Sequence, residues 1–118
     1  SSLISVSSGI TARFSGIVFA AGVSAESRPI DVASEFAPTS GPIYAFFNYA
    51  SMTNGTEWTY EWYRESTQLA QESQPWRWGR AGRAFIFFTP GGGYTTGRYR
   101  LRLYIEDQLQ EEASFIVR

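Results

Sequence analysis

Residues 98–106 read RYRLRLYIE, which is the most regular alternation of residue types in the chain. The apolar positions are Tyr99, Leu101, Leu103 and Ile105, and the basic positions are Arg98, Arg100 and Arg102. A period of two places successive side chains on opposite faces of an extended strand. The stretch therefore predicts a strand with one face in an apolar core and the other face in water.

The same period extends outward from this strand along most of the chain, and helical spacing is scarce. Candidate strands lie at residues 17–23, 30–36, 43–49, 57–65, 83–89 and 109–117. The polar stretch 68–73 fits a short edge strand, although a helical turn at 66–72 is also open. Segments rich in Gly, Pro and Asn separate these runs. We predict an all-β sandwich of about seven antiparallel strands.

Two aromatic residues favour the immunoglobulin-like form of such a sandwich. Trp62 lies in the middle of the candidate strand 57–65, where these domains place a buried Trp against the opposite sheet. Tyr99 follows Gly97 at the start of the penultimate strand, which is the position of a tyrosine corner. The Cys pair of antibody domains is missing, so this match concerns architecture only.

A longer set of framework residues resembles a known class of bacterial module. The set comprises Ile43–Tyr49, Met52, Asn54-Gly55, Trp58, Trp62-Tyr63-Arg64, Trp76, Trp78, Gly79, Gly82 and Gly97–Ile105. Across residues 17–117 the chain is similar to extracytoplasmic immunoglobulin-like accessory domains, often C-terminal in multidomain surface or secreted proteins such as trypsin-like proteases. The resemblance implies a fold and a non-catalytic accessory role, and it implies no catalytic or ligand-binding residue.

Two places depart from the regular pattern. Glu65-Ser66-Thr67 stands where the resemblance leads us to expect Asp-Gly or Asn-Gly, so the sequence does not predict a tight hairpin there. In the last strand, strict alternation would direct Glu111 into the core together with its apolar neighbours, so we expect a β-bulge near Glu111.

Composition excludes several classes of chemistry. The 118 residues include four Trp, seven Tyr and nine Phe, which is too apolar for a disordered chain. Cys and His are both absent, so thiol nucleophiles, His-based triads and the commonest metal ligands are excluded. The formal net charge of −1 provides no basic field for nucleic acid. We expect no enzyme activity, no cofactor, no metal and no nucleic-acid partner.

The ends of the chain suggest either a processed chain, such as a matured secreted protein, or part of a longer protein. The chain begins with Ser1, and residues 1–12 are rich in Ser and Gly, so we interpret them as a linker or a loosely attached segment. Residues 13–118 form the predicted β-sandwich domain. No apolar run approaches the ~18 residues that span a bilayer. We expect an extracytoplasmic accessory module that contacts other domains of its parent protein or another protein partner, without inserting into a membrane.

The first candidate ligand site is an aromatic and basic cluster in a Pro- and Gly-containing loop. Its members are Trp76, Arg77, Trp78, Arg80 and Arg83. Indole rings and guanidinium groups together suit a sugar or an anion, and Gln74 adds a hydrogen-bonding group. The alternative is that one or both Trp residues close an open end of the sandwich, with Arg stems packed over them. A carbohydrate-binding role is therefore the second functional hypothesis.

The second candidate is a charged sheet face that could serve as an interaction surface. In an immunoglobulin-like topology the strands 57–65 and 98–106 are neighbours, so Arg98, Arg100 and Arg102 would lie beside Glu57 and Glu61. A solvated ladder of ion pairs is the alternative to a docking face. The glycines 91–93 lead into a strand and are followed by no Lys, so they indicate a turn and not a phosphate-binding loop.

Overall fold

The computed structural model describes residues 12–38, 41–90 and 93–118. The prediction of a linker at residues 1–12 falls, except for Ala12, outside the described residues. Nine strands are present in the described part: β1 (Arg13–Val23), β2 (Pro29–Val32), β3 (Glu35–Phe36), β4 (Ile43–Ala50), β5 (Glu57–Arg64), β6 (Thr67–Pro75), β7 (Gly82–Phe88), β8 (Gly97–Ile105) and β9 (Gln108–Val117).

The strands form two sheets packed face to face. One sheet has four strands in the order β2-β1-β4-β7, and the other has five in the order β3-β9-β8-β5-β6. All neighbours are antiparallel except β3, which runs parallel to β9. The prediction of an all-β sandwich is confirmed. Two segments account for the larger strand number: the stretch 30–36 divides into β2 and β3, and the polar stretch 68–73 is a full strand, β6.

Aromatic rings fill the space between the sheets. Trp62 of β5 is 1% exposed and stacks on Phe88 of β7, with ring centroids 5.2 Å apart. Tyr99 of β8 stacks on Phe115 of β9 at 5.1 Å. Large buried rings contribute both area and specific edge or stacking geometry to a core. The predicted position of Trp62 against the opposite sheet is confirmed.

The predicted tyrosine corner at Tyr99 is also confirmed. The Tyr99 hydroxyl donates to the carbonyl of Thr95 at 2.7 Å and accepts from the Thr95 N–H at 3.0 Å. These two bonds fix the chain entering β8, because both backbone groups of Thr95 find their partner on one side chain. The outward position of the Arg residues in β8 follows from this fixed entry.

A tight hairpin joins β5 to β6 at Glu65 and Ser66, where local turn chemistry did not predict one. Arg64 pairs with Thr67, and Glu65 adopts φ +54°. A positive φ is unfavourable for Glu, and long-range contacts offset its cost. The Glu65 N–H donates to the Arg98 carbonyl, and the Glu65 carboxylate accepts from the Arg98 N–H.

Bulges adjust two of the long strands. The pairing of β8 with β9 shifts between Leu103 and Tyr104, opposite Glu111 and Leu109, so the bulge expected near Glu111 is confirmed. A second shift lies in β1 between Ser15 and Val18. Gly16 has φ +68° there, and a Cβ at this position would lie 2.9 Å from the Asn48 side chain. The bulge therefore depends on glycine.

Candidate interaction surfaces

The aromatic–basic loop, residues 76–80 between β6 and β7, separates its two Trp residues. Trp76 is 1% exposed, and its indole N–H donates to the Gly79 carbonyl at 2.7 Å. Trp78 is 41% exposed, and its ring meets that of Trp76 at an interplanar angle of 77°. A sugar platform from both rings would need them coplanar and exposed. Trp76 instead closes the end of the core, packing against Phe14 and Tyr49.

Backbone contacts hold this loop against the connection between β4 and β5. The Gly55 N–H donates to the Trp76 carbonyl, and the Trp76 N–H donates to the Thr56 carbonyl. The Met52 N–H donates to the Arg80 carbonyl, and the Gly79 N–H donates to the Asn54 side chain. Arg77, Arg80 and Arg83 are exposed around the loop. Trp78 and the three Arg residues are thus at the surface, while Trp76 belongs to the core. Their role in binding stays a prediction.

The outer side of the five-stranded sheet, which we call the charged face, carries the predicted Arg and Glu residues. Among the described residues, the ion pairs of Arg100 and Arg102 go to Glu112 and not to Glu57 or Glu61. Cross-strand pairing places Glu61 opposite Arg102, and Arg102 opposite Glu112. Glu112 forms ion pairs with Arg102 and, at 3.8 Å, with Arg100. Glu61 accepts hydrogen bonds from the hydroxyls of Tyr63 and Tyr104. Glu57 and Arg98 lie exposed at the two ends of this face.

The charges of this face largely satisfy one another. The guanidinium groups of Arg100 and Arg102 also lie over the Tyr63 ring, 5.5 and 5.2 Å from its centroid. The hydrogen bond to Glu112 raises the pKa of Arg102, and the hydrogen bond to Glu61 raises the pKa of Tyr63. Exposed pairs of this kind contribute only ~0–1 kcal/mol each to stability. The charged face therefore has the properties of a solvated surface.

The outer side of the four-stranded sheet, which we call the apolar face, is the surface that the sequence analysis missed. Registered neighbours share a face, so two rows of side chains point away from the core. Their larger members are Val18, Val32, Tyr44, Phe46, Phe85 and Phe87. Phe87 is 60% exposed and Val32 57% exposed. Phe46 beside them is only 1% exposed, so the exposed apolar surface of this face lies mainly at Val18, Val32 and Phe87. Exposed apolar side chains grouped on one sheet face suit an interaction site.

A signal for the apolar face was present in the sequence. Residues 43–49 and 83–89 carry apolar side chains at both parities, and such runs predict central, doubly buried strands. The structure places β7 at a sheet edge and leaves the outer parity of β4 and β7 without a covering layer in the described residues. The pattern therefore indicated a second apolar face, but it did not indicate that this face would be open.

A cleft of about 920 Å³ opens between β6 and β7, where the two sheets separate. Trp62, Phe88 and Tyr60 lie along its apolar wall, and Gln74 and Trp78 lie at the loop end. Burial, followed by the charge of Glu72, raises the pKa of Tyr60, so this phenol stays protonated at neutral pH. The cleft combines aromatic rings with a few hydrogen-bonding groups, which is typical of small-molecule sites.

Two features are absent from the described residues. No three acidic residues within the described ranges lie close enough together to hold a metal ion. The described part of the chain also has no helix long and apolar enough to cross a membrane. The candidate binding sites are the aromatic–basic loop, the charged face, the apolar face and the cleft between β6 and β7.

Comparison with known proteins identifies the fold. A crystal structure of an immunoglobulin-like protein from Pseudomonas aeruginosa matches 92% of this chain and 97% of its own length, with a TM-score of 0.64. The chain adopts an immunoglobulin-like β-sandwich. The identity between the two sequences is 18%, so the likeness concerns the fold. No protein-family model matches the chain, and no curated protein matches it significantly.

Proposed function

We propose that this immunoglobulin-like chain is a non-catalytic interaction module that binds another protein surface through its apolar face. The observation that carries this proposal is the row of Phe85 and Phe87 beside Tyr44, which faces outward although the core is already filled. Water contact with such a patch is unfavourable by roughly 25 cal/mol per Å² of apolar surface, and a docked partner removes it.

The size of the apolar face suggests which kind of partner it binds. Two rows of side chains extend over about 14 Å of strand, and four strands at a spacing of about 4.8 Å are about 19 Å wide, which gives roughly 270 Å². Contacts between domains of one chain bury about 600–1,500 Å² in total, or half that on each side. The apolar face approaches the lower end of this range. We therefore propose an accessory module of a larger bacterial extracytoplasmic protein, secreted or at the cell surface, whose apolar face contacts a neighbouring domain.

Side-chain footprinting tests the proposal directly. A carbene or radical reagent is expected to label Phe87 strongly in the isolated chain and weakly in the natural full-length protein. Leu109 on the other sheet is the matched control, because it is 51% exposed and lies away from the apolar face. Equal labelling of Phe87 in both proteins would contradict the docking role. A reading frame that encodes this chain and no other domain would contradict the accessory-module role.

A second candidate function is glycan binding at the loop end of the cleft. The exposed indole of Trp78 lies beside Gln74, which supports a single stacking ring with a flanking hydrogen-bond group. Tryptophan fluorescence titrations against a glycan panel test this candidate. We expect an emission change that Trp78→Ala removes and that Leu109→Ala, which lies outside the cleft, leaves in place. Unchanged emission with every glycan would eliminate this function and leave the protein-docking role unaffected.

A further inference from the structure

The edge strands of the two sheets differ in how they discourage pairing with other chains. β2 contains Pro29 and has Asp31 at φ +58°, and β3 is only two residues long. β6 exposes Glu72, ends at Pro75 and carries a register shift opposite Trp62 and Tyr63. Short length, Pro, charge and bulges are the devices that protect sheet edges. Short length, Pro, a register shift or several of these thus protect each of these three edges.

β7 has the exposed charge of Arg83 and none of the other devices. It pairs with β4 over seven successive positions, from Ile43 with Phe88 to Tyr49 with Gly82, without a register shift. Its sequence, GRAFIFF, has no Pro and no acidic residue, and Arg83 carries its one charge. Among the described residues β7 pairs with β4 alone. A long, regular and apolar edge of this kind is a template for a further strand.

The hydrogen-bond pattern shows which backbone groups of the four-stranded sheet point in which direction. The Ala33 N–H donates to the Phe19 carbonyl, so the backbone groups of Phe19 point toward β2. Because these groups alternate along an antiparallel strand, those of Val18 and Ala20 point toward β4. The backbone N–H and C=O groups of their registered partners, Phe46 and Tyr44, therefore point back toward β1.

The same alternation continues into β7. Since the backbone groups of Phe46 and Tyr44 point toward β1, those of Ala45 and Phe47 point toward β7. The registered partners of Ala45 and Phe47 on β7 are Ile86 and Ala84, whose backbone groups point back toward β4. The intervening residues of β7 consequently direct their N–H and C=O groups away from the sheet. These residues are Arg83, Phe85 and Phe87. Every second residue of β7 thus offers an N–H and a C=O group outward, which is the spacing that an added antiparallel strand needs for its hydrogen bonds.

We propose that β7 pairs with β7 of a second copy of this chain, in an antiparallel arrangement centred on Phe85. In this register Phe85 lies opposite Phe85, and Arg83 lies opposite Phe87 of the second copy. Every outward-directed backbone group between Arg83 and Phe87 then has a partner. The arrangement joins two four-stranded sheets into one of eight strands and makes the two apolar faces continuous.

Self-complementarity is the reason to assign a second copy to this edge. The two Arg83 side chains do not oppose each other, and each guanidinium lies beside an aromatic ring, an attractive contact. The net charge of −1 adds little repulsion between copies. One strand pair buries less than the roughly 1,200 Å² of a standard stable complex, so we expect a weak, concentration-dependent dimer.

Cysteine cross-linking tests the register, because the chain has no Cys of its own. Directly opposed residues in a hydrogen-bonded pair have Cα atoms about 5.5 Å apart, which suits a disulfide. Phe85→Cys is therefore expected to form a covalent dimer under mild oxidation. In Arg83→Cys the two thiols would lie about 14 Å apart along the strands, so this matched control should stay monomeric. Equal cross-linking of the two variants, or none in either, would overturn the proposal.

A second pair of variants tests the hydrogen bonds independently of cross-linking. Phe87→Pro removes the outward N–H and leaves the bonds to β4 intact, whereas Phe87→Ala loses the same ring and keeps the N–H. Sedimentation equilibrium up to about 1 mM should give a dimer for the native chain and for Phe87→Ala. We expect a dissociation constant roughly tenfold or more higher for Phe87→Pro. Identical constants for the two variants, or a native chain that stays monomeric, would refute pairing through β7.

The two experiments also separate this proposal from the docking role of the apolar face. Dimerisation is measured with the isolated chain, and docking is measured as protection of Phe87 in the full-length protein. Circular dichroism and the thermal midpoint of each variant establish that it is folded before its association is compared.

Discussion

The two outer faces of this sandwich have opposite chemistry although the two sheets share one core. On the charged face Arg102, Glu112 and Glu61 satisfy one another or nearby tyrosines. On the apolar face Phe46 and Phe85 pack side by side, and Phe87 lies in water. A face that functions in solvent is normally polar. The difference therefore points to the four-stranded sheet as the side that meets a partner.

The largest expected effect distinguishes two Phe residues on the apolar face. Phe46 is 1% exposed because Phe85 and its other neighbours cover it, whereas Phe87 is 60% exposed. Phe46→Ala should lower the free energy of unfolding by about 3–5 kcal/mol, as for a core ring. Phe87→Ala should lower it by about 1 kcal/mol or less, since most of its ring is already in water. Urea denaturation measures both, and similar losses would mean that the face is uniformly open or uniformly covered.

A tyrosine at one end of the four-stranded sheet should have an intermediate effect. The Tyr94 hydroxyl accepts from the Ile43 N–H at 3.1 Å and lies 2.7 Å from the Phe88 carbonyl, to which it donates. It thereby connects the ends of β4 and β7. Tyr94→Phe should lower the free energy of unfolding by about 1–3 kcal/mol, because buried backbone groups lose a partner. A loss near zero would show that water replaces the hydroxyl.

The same residue makes stability depend on alkaline pH. Burial raises the pKa of Tyr94 to about 12, above its ordinary value of 10.0. A folded-state pKa above the unfolded value means that the protonated phenol stabilises the fold. This contribution is complete below pH 10 and is lost as the pH rises from 10 to 12. Tyr94→Phe should therefore lose less stability than the native chain over this interval; parallel curves would contradict the assignment.

The smallest expected effect is on the charged face. Glu112→Gln removes the ion pairs with Arg100 and Arg102, all of which are partly exposed. We expect a loss of at most about 1 kcal/mol, which shrinks further when salt screens the native pairs. Unfolding at low and high ionic strength measures it. A loss comparable to that of Phe46→Ala would mean that the two faces contribute alike to stability.

The strands and their inward residues were accessible from the sequence, because alternation is a local property. Tyr99 and Trp62 occupy their predicted places, since strand parity and distance from a turn decide which way each side chain points. The turn at Glu65 was not accessible, because its positive φ is compensated by Arg98, which is distant in the chain. Local preference and tertiary contact disagree there, and tertiary contact prevails.

The candidate surfaces were predicted in part. The charged face follows from the parity of β5 and β8 once the two strands are known to be neighbours. The loop residues Trp76 and Trp78 are two positions apart in similar surroundings, so their sequence does not distinguish the buried ring from the exposed one. Contact with Phe14 and Tyr49, both far away in the chain, makes that distinction.

The sequence by itself determined that this protein is built of strands with an aromatic interior, and that it has no Cys or His for thiol, imidazole or sulfur-ligated metal chemistry. Alternation and composition are sufficient for those conclusions, because they depend on residue type and on nearest neighbours. Only the tertiary structure decided which of two apolar parities in β4 and β7 enters the core and which remains outside. That outcome depends on where the second sheet lies, which is set by contacts between residues far apart in the chain.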